Sequence, residues 1–78
     1  MNSKLTPQQI QIMKDDLVVE LLGNLMDEFH YSPQEALDVL YTSDTFECLQ
    51  DDETGMYYQS AGYVYSFLSN EIKTAKVE

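Results

Sequence analysis

The run Asp51-Asp52-Glu53-Thr54-Gly55 gathers metal-type ligands more densely than any other part of the chain, and an acid-rich loop with a glycine is what calcium coordination asks for. The register does not fit. With Gly55 as the turn glycine, the first ligand position falls on Gln50 and the last on Ala61, where a bidentate acid is required. The run therefore reads as a solvated acidic turn. A closed zinc site needs several nitrogen or sulfur ligands, and the chain has one histidine, His30, and one cysteine, Cys48. As a nucleophile, Cys48 would need a base within hydrogen-bond reach. His30 stands where the first helix should end, a place that suits an imidazolium simply because carbonyl dipoles converge there. The acid pairs Asp15-Asp16 and Asp27-Glu28 point in different directions around a helix and read as solvated, while the isolated Gly23, Gly55 and Gly62 make no phosphate loop. The expectation is a protein with no catalytic residue, no metal and no cofactor.

What remains is aromatic. Residues 57–65 read YYQSAGYVY, four tyrosines in nine positions of a chain without tryptophan or arginine. Such rings either fill a core or form a surface with one apolar end and one wet end. Tyr65 is expected in the core or at its rim. Tyr63, Phe67 and one of Tyr57 or Tyr58 are candidates for a partner surface. A further reading makes the protein a small ligand-sensing bundle whose tyrosines line a pocket between helices.

The elements that carry these residues begin with two matching phrases. Thr6-Pro7-Gln8-Gln9 and Ser32-Pro33-Gln34-Glu35 each supply a hydroxyl cap, a proline at the first helical position and a side chain at the third that reaches back. They predict a first helix from Pro7 to Phe29 or His30 and a second from Pro33 to about Tyr41. Ser43 or Asp44 can cap a short third helix carrying Phe46, Cys48 and Leu49, with Cys48 as a small buried apolar residue in a reduced interior. A last helix from Gln59 or Ser60 to Thr74 has one buried face through Ala61, Val64, Tyr65, Leu68 and Ile72. No segment of comparable length alternates with period two. The fold class is all-α, a small bundle of three to four helices with a long first helix and an aromatic last one, in a single domain over residues 1–78.

The first helix has more apolar surface than one core face needs. Ile10, Met13, Leu17, Val18, Leu21, Leu22, Leu25 and Phe29 share a broad arc, and Ile12, Val19 and Met26, spaced seven apart, form a second stripe displaced from it. Either the later helices wrap the first, or the second stripe is a seam for another chain. A chain of 78 residues buries only about 60–65% of its unfolded surface, and association is one way such a small core is supplemented.

Charge narrows the partner. Fourteen acidic side chains against four lysines give a formal net charge of −10, and the lysines lie only near the two ends. A chain so poor in cations is not expected to hold nucleic acid directly or to adhere to an anionic membrane. A basic protein would be steered toward it, or the excess acid serves solubility alone. The opening MNSKLTPQQ runs straight into a polar helix start, and no apolar run approaches a membrane span, so a soluble cytoplasmic protein is expected.

The segment TFECLQDDETGMYYQSAGYVYSFLSNEI, with its short aromatic helix, aromatic turn, Gln59-Ser60 pair and Tyr63-Val64, resembles a bacterial family known as domain of unknown function 3791. The likeness extends from about position 18 to position 72. It implies a short helical protein. Members of that family often stand beside ADP-ribosyltransferase-like proteins, which implies an antitoxin-like or accessory role, and the family has no catalytic residues to transfer. The combined expectation is a non-enzymatic interaction module whose partner is a basic protein or a second copy, with Ile12, Val19, Met26, Tyr57, Tyr58, Tyr63 and Phe67 as its contact residues.

Overall fold

The computed structural model describes residues 6–75, and every regular element among them is helical: α1 (Pro7–Phe29), α2 (Pro33–Tyr41), α3 (Asp44–Gln50) and α4 (Ala61–Ala75). Two single 3-10 turns, Asp52–Thr54 and Met56–Tyr58, join α3 to α4. The fold is a small all-α bundle with a long first helix.

Local chemistry starts each helix. Thr6 Oγ1 accepts from the Gln9 amide at 3.1 Å while the Gln9 side chain accepts from the Thr6 amide at 2.9 Å; Ser32 and Glu35 repeat the exchange at 3.2 and 2.9 Å. Caps of this kind are each worth about 1 kcal/mol. α1 ends on His30 in the left-handed region (φ 60°), and the chain turns again on Gly55 (φ 72°), a conformation that glycine adopts without a Cβ penalty.

α3 is short, and its start is completed from far away in sequence. Ser43 Oγ accepts from the Phe46 amide, whereas the Asp44 and Thr45 amides donate to the Glu71 carboxylate on α4 at 2.7 and 3.1 Å. Thr45 Oγ1 donates to the same carboxylate at 2.8 Å. Because Thr45 is pulled onto α4, the buried side of α3 runs through Thr45 and Leu49, with Phe46 half-buried beside them. Cys48 is rotated out. It is exposed, contrary to the buried position expected of it.

The core joins Leu17, Leu21 and Leu25 of α1 to Ala36 and Leu40 of α2, Leu49 of α3, and Val64, Leu68 and Ile72 of α4. α1 packs against α2, α4 and the second 3-10 turn, α3 against α4, all on the inner side. The later helices therefore do not wrap α1. Its outer side, at Ile12 and Val19, stays uncovered, while Met26 is drawn half into the core.

Lys14 lies in the middle of the inner arc, between Ile10 and Leu17, and is buried. Its Nζ donates to the Gln50 carbonyl at 3.0 Å and to Asp52 Oδ1 at 2.6 Å, and sits 6.0 Å from the centre of the Tyr57 ring. An ammonium can enter a core only when its donors are met in this way. Thus the acidic turn is bound to α1 through Asp52, and Tyr57 packs beneath it.

Candidate interaction surface

The aromatic stretch divides into anchored and free rings. Tyr57 is 8% exposed and belongs to the core, which corrects its expected place among the contact residues; burial pushes its hydroxyl pKa upward. Tyr58 stacks on it at 4.6 Å and faces outward. The division follows from the short 3-10 turn, which can send only one of two adjacent side chains inward.

Tyr65 is held by α1. Its hydroxyl donates to Glu28 Oε1 and stands 3.3 Å from the Asn24 carbonyl; with one proton to give, the hydroxyl serves the carboxylate first. Ser69 Oγ lies 3.4 Å from the same oxygen, and Lys73 Nζ pairs with Glu28 Oε2 at 3.0 Å. Tyr65, Ser69 and Lys73 are i, i+4 and i+8 on one flank of α4, so a single carboxylate reads three successive turns. Hydrogen bonds from Tyr65 and Lys73 hold the Glu28 carboxyl below the usual range, and burial together with the Glu28 charge keeps Tyr65 neutral far into alkaline pH. Glu28 is thus an anchor rather than a free solvated acid.

The opposite flank of α4 carries Tyr63 and Phe67. Their rings meet edge to face at 5.0 Å and 87°, and both are close to half exposed. Beside Phe67 an open groove of about 500 Å³ runs between Asp44-Thr45 and Asn70-Glu71, and a smaller one of about 320 Å³ lies between Tyr31, Val39 and Ile72. Both border Glu71. Neither is lined by a tyrosine of the 57–65 stretch, where the ligand-sensing reading would place a pocket.

On α1, Ile12 is 58% and Val19 68% exposed. Gly23 lies on the same side, in ordinary helical conformation, and a Cβ built there would meet nothing within 4 Å. No turn and no neighbouring element accounts for it. In the middle of a helix, glycine costs about 1 kcal/mol relative to alanine.

Among the described residues no group of three or more histidine, cysteine or acidic side chains is placed to hold a metal ion, and no buried side-chain nitrogen or oxygen lacks a partner. His30 is the C-cap of α1, and Cys48 is a free, exposed thiol on α3. No described helix is long and apolar enough to cross a membrane.

Among the described residues the arrangement is four α-helices, with Ile12 and Val19 exposed on α1 and Tyr63 and Phe67 close to half exposed on α4. Comparison with protein-family models, with curated proteins and with solved structures finds no match to the chain. Sequence reasoning missed Lys14 and Glu71. A lysine in the centre of an apolar arc, in a chain that also carries the acidic run 51–53, was the available signal for the first. Nothing local marks the second, whose partners are 26 and 27 residues away.

Proposed function

We propose that this protein is a non-enzymatic interaction module that captures a basic protein. The supporting observation is the exposure of Ile12 and Val19 on a helix whose other side already fills the core. Recurring on one side of a helix and placed among acids, they suit an interface with an apolar centre and a polar rim. Tyr58, Tyr63 and Phe67 extend the exposed apolar inventory to the last helix and the turn before it. A net charge of −10 steers a cationic partner toward these patches and works against other acidic surfaces. The resemblance to domain of unknown function 3791 adds an antitoxin-like or accessory role beside a basic effector to this proposal.

Affinity capture with the tagged full chain, followed by native mass measurement, tests it. The expected product is a complex with a basic protein at fixed stoichiometry, dissociated by salt. A lone chain at every concentration, retaining nothing, would overturn the reading.

A further inference from the structure

At about 100° per residue, Ile12, Asp16, Val19, Gly23 and Met26 fall within an arc of about 80°, and the stripe is about 21 Å long. Asp15 borders it on one side, Glu20 and Asp27 on the other, and all three acids are exposed. Ile12 and Val19 are exposed and seven apart, and half-buried Met26 continues the repeat at the edge of the core; this recurrence is what keeps a seam aligned along a second helix. Gly23 interrupts this seam where no internal contact needs a glycine. Helix axes come closest where the intervening side chain is smallest, so the position suits the close approach of another backbone.

Charge selects the occupant. Among the described residues the lysines are Lys14 and Lys73, and both are committed within the fold, to Asp52 and Glu28. Nothing basic lies on the stripe. A second copy pairing through this face would set the acids around Val19 against their own duplicates, because a two-fold interface meets itself. A helix with an apolar seam and lysine or arginine on its flanks satisfies both the stripe and its rim.

Resting on the interaction reading above, we infer that the outer face of α1 is the docking face, and that it receives a basic amphipathic helix whose axis passes closest at Gly23.

The probe is a synthetic 21-residue peptide with leucines at heptad seam positions and lysines on its flanks; the control is a scrambled peptide of the same composition. Binding to the full chain is followed by calorimetry and sedimentation. The amphipathic peptide is expected to bind at least about tenfold tighter than the scramble, and Val19→Asp to lose about tenfold. Gly23→Gln should also weaken binding about tenfold while the melting temperature holds or rises, which separates docking from folding. Undiminished affinity in Gly23→Gln and Val19→Asp would overturn the assignment. If affinity instead follows Tyr63→Ala with Phe67→Ala, the interaction reading stands and the α1 face is wrong. If the chain dimerises and Val19→Asp abolishes the dimer, the occupant is a second copy and the inference fails. Equal, weak binding of both peptides, together with empty affinity capture, removes the inference and the broader reading alike.

Discussion

The two sides of α1 are written in similar letters and meet opposite fates. Leu21 and Leu25 on the inner side are fully buried, whereas Val19, two residues from Leu21, is 68% exposed. The difference lies in the supply of covering elements. α2, α4 and the second 3-10 turn approach α1 from one side, and the two carboxylates that fasten α4 keep it there: Glu28 grips Tyr65 and Lys73 on one flank, while Glu71 grips the start of α3 on the other. These contacts lie on the inner side of the bundle, away from Ile12 and Val19. An apolar stripe thus becomes core or surface according to where distant polar groups fasten its neighbours.

Truncating one residue on each side gives the strongest contrast. Leu21→Ala should cost about 2–5 kcal/mol, since it removes Cγ and both Cδ methyls from a fully packed site. Val19→Ala should change stability by no more than about 0.5 kcal/mol, with better helix propensity offsetting any lost contact. Chemical denaturation of both variants measures the difference, and equal losses would show that the outer side is covered after all.

The clamps come next. Glu71→Ala leaves two α3 amides and the Thr45 hydroxyl without their acceptor, and should cost about 1–3 kcal/mol. Amide exchange should quicken first in α3, because that helix depends on a side chain from α4 for its N-terminal turn. Uniform acceleration across all helices would mean that Glu71 holds the whole bundle rather than this one joint.

Glu28 carries a pH signature. Its folded-state pKa is lowered by Tyr65 and Lys73, so the unfolded chain binds the proton more readily. The stabilisation is present above the ordinary carboxylate pKa of about 4.3 and is lost as pH falls through the lower folded value. Glu28→Gln should flatten that part of the acid-unfolding curve. An unchanged slope would show that other carboxylates control it.

The outer side also offers a gain. Gly23→Ala should raise stability by about 0.5–1 kcal/mol, since the added methyl meets nothing and the helix loses a flexible residue. Thermal melting checks it; a lower midpoint would point to an internal role for the glycine.

Much of this fold is legible locally. The phrases at Thr6 and Ser32 write both halves of each capping box, and the first two helices begin where those signals place them. The stripe through Val64, Leu68 and Ile72 likewise becomes the buried face of α4. Other features depend on distance. Lys14 finds its acceptors 36 and 38 residues away, and the Glu71 bonds turn α3 so that Cys48 faces out and Thr45 in. Of the expected contact residues, Ile12, Val19, Tyr58, Tyr63 and Phe67 are exposed, Met26 is half-buried, and Tyr57 is in the core. A repeat of seven can be read from letters; whether a neighbour covers it cannot.

The division of α1 into a packed side and a docking side is tested most directly by amide chemical shifts during titration with the basic amphipathic peptide. Shifts concentrated at Ile12, Asp16, Val19 and Gly23, with Leu21 and Leu25 little affected, are the predicted result. Shifts confined to α4, or spread evenly over every acidic surface, would contradict it.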